Sequence, residues 1–366
     1  MCRFLIWGTG NDAKRYWGYY KRIGIEKTKV VGFIDSDSRK WGSQFMGKTV
    51  FSPEQIGNLD YDYITVWSSK YEEEICHQIT NKYGISKEVI SDIFSSYKQK
   101  LQARYSKTDD KDLKNILQRI TGRHGLNVYY FEPEDTREVW NEVFYNEEAQ
   151  LHYIFFEGKR MYLKRGFNDF VERQGRQYVG DLYGEQDINS PHRYEDGDII
   201  VEEGDILVDA GVCEGNFSLH NIDKVKKVYL IECDSEWMEA LHYTFAPYKD
   251  KVVFCDKFLS DKDTEETISL DKLITEPVDF IKMDIEGEEI CALQGSRKLM
   301  SNSRGVKCAV CAYHRHGDEE KIKGILKEMG FTVSTSNGYM LFLYDDCVLK
   351  NPELRRGVIR GRKSVL

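Results

Sequence analysis

The stretch that most constrains the fold is Asp205-Ile-Leu-Val-Asp-Ala-Gly-Val-Cys-Glu-Gly-Asn-Phe-Ser-Leu219. Its apolar run, Ile206 to Val208, has the length and composition of a parallel strand buried on both faces. Asp209, Gly211 and Gly215 then turn the chain into a helix-compatible segment that opens at Asn216. Glycines at a strand-to-helix turn let backbone approach a ligand closely, and the helix that follows offers unpaired N–H groups. A strand that needs cover on both faces calls for helices around a mostly parallel sheet, which is an α/β fold.

The rest of the C-terminal half repeats that unit. Lys227 to Ile231, Val252 to Phe254, Val278 to Met283 and Val306 to Ala312 read as further strands, with helices from Glu288 and over Lys321 to Met329. Phe331 to Thr335, the turn dipeptide Asn337-Gly338 and Tyr339 to Tyr344 read as a closing antiparallel hairpin. The first turn is spaced Asp-x-Gly-x-x-x-Gly rather than Gly-x-Gly-x-x-Gly. That spacing points from a dinucleotide toward S-adenosylmethionine, whose sulfonium and zwitterionic tail favour a carboxylate beside the glycines. Asp209, Gly211, Glu214 and Gly215 are therefore cofactor candidates. Glu232 ends the second strand, where a carboxylate accepts charge-assisted hydrogen bonds from a ribose diol. Asp256, after the third strand, is a candidate for the adenine side.

Strand ends of such a sheet face one crevice, so Asp209, Glu232, Asp284 and His314 should converge there. Asp284, Glu286 and His314 are the acceptor-side candidates, with His314 as general base because its ordinary pKa lies near neutrality. No metal is required, although Asp284 and Glu286 would suit a divalent ion holding a diol. A competing role for Glu286 is that of a charge at a helix N-terminus.

The N-terminal segment carries a second glycine turn. Cys2 to Trp7 reads as a strand, Gly8-Thr-Gly10 as the turn, then a helix through Tyr20 and a strand Lys29 to Ile34 that ends at Asp35. Tyr63 to Trp67 and a helix over about 71–83 complete a small α/β unit. Gly8, Gly10 and Asp35 are candidates for a nucleotide or nucleotide-sugar site, against the alternative of a unit retained for assembly. The runs Ile6 to Gly10, Val31 to Asp35 and Gly47 to Val50 resemble the Rossmann-like N-terminal domain of nucleotide-sugar-modifying enzymes, and that resemblance implies contact with a nucleotide sugar.

Between the two units, Leu113, Ile116, Leu117 and Ile120 recur at helical spacing, and Tyr153 to Glu157 with Arg160 to Leu163 reads as an aromatic hairpin. Glu185-Gln-Asp-Ile-Asn-Ser-Pro-His-Arg-Tyr194 is a polar loop, with Glu185, His192 and Tyr194 as candidate contacts to cofactor or acceptor. The expected organisation is a Rossmann-like unit at 1–98, a helical and aromatic connecting region at 99–200, a catalytic unit at 201–346 and a basic tail at 347–366.

Composition narrows the partners. A net charge of −9 over 366 residues gives no general footprint for nucleic acid. Arg355, Arg356, Arg360, Arg362 and Lys363 are read as a solvated basic end. No apolar run reaches the roughly 18 residues of a membrane span. The nine cysteines, an odd number, read as free thiols of a reducing compartment, with cytoplasm as the expectation. Cys308 and Cys311 sit inside a strand and read as core. Expected partners are a small-molecule acceptor, a nucleotide-linked sugar among the candidates, and further copies of the chain.

Val208-Asp-Ala-Gly211, Ile231-Glu232, Leu259-Ser-Asp261, Ile268-Ser-Leu-Asp271, Phe280-Ile-Lys-Met-Asp-Ile-Glu-Gly-Glu288 and Ala292-Leu-Gln-Gly295 resemble the FkbM family of S-adenosylmethionine-dependent methyltransferases. The resemblance covers about 205–345 and departs from the family where Cys233, not proline, follows Glu232. It implies a class I methyltransferase fold and O-methylation of a sugar or other small metabolite. The alternatives are a non-catalytic protein that binds S-adenosylmethionine or a nucleotide sugar, and an NAD-dependent oxidoreductase using the first unit.

Overall fold

The computed structural model describes residues 2–25, 28–134, 139–167 and 177–364. The chain divides into two compact units: residues 1–130 with 341–354, and residues 131–340 with 355–366. This differs from the four-part reading above. The helical segment after residue 98 joins the first unit, and the end of the chain is shared between the two.

In the first unit, β1 (Cys2–Trp7) leads through the glycine turn to α1 (Asn11–Ile23) and on to β2 (Thr28–Ile34). Strands β3 (Gln44–Phe45), β4 (Lys48–Phe51) and β5 (Tyr63–Val66) complete a sheet of order β3-β4-β2-β1-β5, parallel except for β3. The turn needs glycine at position 8, where φ is +120° and a Cβ would lie 2.5 Å from the Trp67 carbonyl oxygen. Helices α2 (Glu72–Asn81), α3 (Ser95–Arg104) and α4 (Lys111–Thr121) follow. Leu113, Ile116 and Ile120 are buried as their spacing predicts, and Asp110 caps α4 by accepting from the Asp112 and Leu113 amides.

The second unit opens with an antiparallel sheet, β6 (Phe144–Asn146), β7 (Leu151–Phe156) and β8 (Lys159–Tyr162), which contains the expected hairpin. After α5 (Tyr178–Glu185), the main sheet begins with β9 (Ile206–Ala210), buried at all five positions. The sequence continues through α6 (Asn216–Asn221), β10 (Lys227–Ile231), α7 (Ser235–Thr244) and β11 (Val252–Cys255). A short ribbon, β12 (Phe258–Leu259) with β13 (Thr267–Ile268), and α8 (Leu270–Leu273) lead to β14 (Phe280–Met283). Then come α9 (Glu289–Gln294), α10 (Arg297–Asn302), β15 (Lys307–Cys311), α11 (Asp318–Glu328), β16 (Phe331–Thr335) and β17 (Val358–Lys363).

The order is β11-β10-β9-β14-β15-β17-β16, and only β17 runs against its neighbours. From β9 the chain goes first to one side and then returns to the other, so a switch point opens beyond the C-terminal ends of β9 and β14. The antiparallel ending is present and its first strand is the expected Phe331–Thr335, but its partner is not the expected one. Residues 339–344 form no strand; β16 pairs with β17, drawn from the segment read as a solvated tail. Val358, Ile359 and Gly361 explain the change. The first two are fully buried, and the bare Gly361 α-carbon leaves room for the Cys308 sulfur, which an added Cβ would approach to 3.1 Å.

Candidate active site

The glycine turn ends β9 at the switch point. Gly211 has φ +75°, and a Cβ there would stand 1.7 Å from the Asp284 carbonyl oxygen. Gly215, at φ +84°, faces Leu241 and Phe245 at 2.8–2.9 Å. Both positions therefore demand glycine for the protein's own packing, before any ligand is considered. Gly211→Ala is expected to cost on the order of 3 kcal/mol through combined backbone strain and overpacking; a chemical-denaturation midpoint matching the parent would refute this.

Asp209 is engaged inside the sheet, unlike Glu232, Asp284 and His314, the other three residues expected to converge at the strand ends. It is fully buried, accepts from the Ser218 hydroxyl at 2.6 Å and pairs with Lys282 Nζ at 3.0 Å. Lys282 faces it directly across β9 and β14 and also donates to the Gly211 carbonyl. Burial opposes the ammonium, but the Asp209 and Asp284 charges hold the Lys282 pKa above its ordinary value. Asp209 thus fixes Lys282, and Lys282 fixes the glycine turn.

Glu232 stands at the end of β10, accepting from the Cys213 and Asp234 amides at 2.9 Å each. A carboxylate has about four acceptor sites, so two remain for a diol. Glu232→Ala should weaken binding of S-adenosylhomocysteine by about 1.5–3 kcal/mol, the range for hydrogen bonds to a charged group; an unchanged calorimetric affinity would show that this acid holds no ribose. Glu214, buried next to Gly215, has its carboxyl pushed up to about 7 by burial and by the charge of Glu185. Glu185, at the end of α5, is raised in the same direction by burial. Asp256 is exposed after β11.

The acceptor side centres on Asp284, immediately after β14. Its carboxylate accepts from the Tyr194 hydroxyl at 2.8 Å and from the Tyr313 hydroxyl at 2.9 Å. His192 Nε2 lies 3.2 Å away and His314 Nε2 3.4 Å away. Burial alone would raise this carboxyl; the hydrogen bond from His192 and the nearby imidazoles hold it well below the ordinary range. His314 is sandwiched, with Nδ1 2.9 Å from Glu289 and Nε2 facing Asp284 and, at 3.7 Å, Glu286. Burial works against its charged form, yet Glu289, Asp284 and Glu286 raise its pKa above the ordinary value. Glu286, at φ +57°, has a side chain 85% exposed to solvent.

His192 and Tyr194, expected on a polar loop, are buried walls of this site. Three further residues belong to the site: Lys282, Glu289 and Tyr313. Lys282 had a legible signal, since a lone lysine inside a buried strand requires a partner. Glu289 and Tyr313 had none, because only the fold brings them to His314 and Asp284.

In the first unit Gly8 and Gly10 flank Thr9, whose amide donates to Asp35 at 3.2 Å and whose hydroxyl also binds that carboxylate. Lys40 Nζ pairs with Asp35 at 2.9 Å and the Asp37 amide donates at 2.8 Å. Burial would raise the Asp35 carboxyl, but the Thr9 and Lys40 hydrogen bonds bring it below its ordinary range. Its lone pairs are engaged within the unit.

A parallel sheet of this strand order, with a glycine turn and a terminal acid at the switch point, defines a class I methyltransferase. Residues 198–339 match the Methyltransferase FkbM domain family, and residues 1–91 match the family described as C2185-like, N-terminal. The chain is an S-adenosylmethionine-dependent methyltransferase that carries an FkbM domain. A crystal structure of methyltransferase FkbM from Methylobacillus flagellatus KT is similar in fold, with a TM-score of 0.53 and 17% identity over 98% of this chain and 90% of that one. A precorrin-6y C5,15-methyltransferase from Geobacter metallireducens GS-15 gives a TM-score of 0.33 and 12% identity over 51% of this chain and 90% of its own. No curated protein matches the chain.

Proposed function

We propose that the protein moves the methyl group of S-adenosylmethionine to a hydroxyl oxygen of a sugar or other small metabolite. The observation that carries this reading is the Asp284–His314–Glu289 chain, packed directly against the Gly211 turn. Gly211, Glu214, Gly215 and Glu232 would hold the cofactor, with Asp256 toward the adenine and Asp209 supporting from below through Lys282. When bound, the sulfonium supplies an already activated methyl group. The protein's own work is then alignment and proton removal.

Tyr194, Tyr313 and His192 fix the Asp284 carboxylate, leaving its depressed pKa unsuited to take a proton. His314 takes the acceptor's proton in its neutral form, and Glu289 orients the ring through Nδ1. Glu286, at the open side of His314, contacts the acceptor as it enters. A divalent ion on Asp284 and Glu286 is not needed for this scheme. Asp35 would bind a nucleotide's ribose only by giving up a contact to Thr9 or Lys40, so the acceptor assignment rests on the second unit.

No helix among the described residues is long and apolar enough to cross a membrane. All nine cysteines are unpaired, which supports a cytoplasmic location. The test is production of S-adenosylhomocysteine with a panel of hydroxylated acceptors, sugars and nucleotide sugars included. Transfer to amine or carbon acceptors alone would overturn the hydroxyl assignment.

A further inference from the structure

Two arginines of the segment read as a solvated tail are buried beside the site. Arg355 donates from Nη1 to the Tyr313 carbonyl at 2.8 Å and the His314 carbonyl at 2.7 Å. Arg360, on β17, donates from Nε to the Tyr194 carbonyl at 3.0 Å and from Nη2 to the Arg193 carbonyl at 2.6 Å, and its Nη1 lies 3.3 Å from Asp196. Their relative exposures are 7% and 4%. The next arginine on the same strand, Arg362, is half exposed and pairs with Asp198 at the surface.

The choice of partners is informative. Four of the contacts are backbone carbonyls, at Arg193, Tyr194, Tyr313 and His314. Those residues form the two chain segments whose side chains surround Asp284: Tyr194 with the nearby His192 on one, Tyr313 and His314 on the other. Removing a guanidinium from water is costly, and burial indeed lowers the pKa of Arg360. Apolar side chains would fill the same volume without that cost. At Arg360 the planar fork, with Nε on the Tyr194 carbonyl and Nη2 on the Arg193 carbonyl, fixes their spacing in a way that no apolar group and no ammonium can; at Arg355 the single Nη1 group bridges the Tyr313 and His314 carbonyls, which no apolar group can do.

We infer that Arg355 and Arg360 are positioning residues for methyl transfer, each holding one of the two backbone segments that set His314, Tyr313, Tyr194 and His192 around Asp284. This rests on the proposed roles of Asp284 and His314. The effect of the arginines is exerted through carbonyl groups, and a misplacement of about 1 Å is enough to cost roughly 100-fold in rate.

The test is histidine-resolved NMR titration of the full chain with Arg355→Lys, Arg355→Met, Arg360→Lys and Arg360→Met, using Arg362→Ala as control. In the folded Arg355 variants the His314 titration should move down toward that of ordinary histidine, as the ring loosens from Glu289, Asp284 and Glu286. In the folded Arg360 variants the His192 ring signals should shift. The control should leave both histidines as in the parent. Calorimetric affinity for S-adenosylhomocysteine should stay within roughly twofold throughout, because the cofactor side is not held by these contacts.

Parent-like histidine signals in folded variants would overturn the inference. So would unfolding of even the lysine variants, which would assign the arginines to stability alone. A failure to find any hydroxyl acceptor would strike at the proposed reaction and leave the NMR result standing, so the two failures are distinguishable.

Discussion

Replacing Lys282 with alanine is expected to lower the free energy of unfolding by about 3–5 kcal/mol, the cost of leaving a buried charge without its partner. Asp209 is fully buried, and Lys282 is its ion-pair partner across β9 and β14. The same lysine ties the Gly211 carbonyl, so the cofactor turn should loosen along with the strand pair. Urea denaturation of the full chain measures the first effect and S-adenosylhomocysteine calorimetry the second. The double variant Asp209→Asn with Lys282→Met should recover much of the stability, because it removes both charges. If Lys282→Ala alone denatures at the parental midpoint, the pair contributes nothing and the account of the turn fails.

The second large effect is on pH. His314 has a raised pKa because three carboxylates face it, so its neutral, proton-accepting form is populated only on the alkaline side of an ordinary histidine. Turnover should therefore rise with pH through a limb above that of free histidine. Stability should move in the opposite direction: a pKa raised by folding contributes stability fully below the unfolded value, and this contribution is lost as pH rises through the folded one. His314→Ala should remove the limb and lower turnover by roughly 100-fold or more, the usual contribution of a general base, with cofactor affinity retained. A rate limb that persists in the alanine variant would assign the base elsewhere, Glu286 first.

Much of the second unit could be read from the chain. Apolar strand-length runs ended by acids at 209, 232 and 284 fixed the order of the elements, and the spacing around Gly211 and Gly215 set the turn apart from a dinucleotide site. These signals are local, carried by composition and by backbone conformations that only glycine adopts easily. The motif around Asp284 and the presence of His314 at the next strand end were legible for the same reason.

Three features were not. The convergence did not extend to Asp209, because this residue lies inside β9 and is taken up by Ser218 and by Lys282, which faces it from β14. His192 and Tyr194 are legible as contacts carried by a loop, but their common partner, Asp284, is not, because 90 or more residues separate them in the chain. The arginines after 354 looked like a solvated end, since charge density in a short terminal stretch carries no record of the carbonyls waiting in the fold.

The sequence alone thus determined the parallel α/β architecture of the second unit, the place of its glycine turn and the acids at its strand ends, all of which follow from local periodicity. Only the tertiary structure decided that β17 completes the sheet, that Lys282 neutralises Asp209, and that Glu289, Tyr313, Arg355 and Arg360 surround or support Asp284 and His314. Those decisions rest on partners far apart in the chain, and burial makes each partner obligatory: a charge or carbonyl withdrawn from water must be satisfied by whatever the fold brings to it.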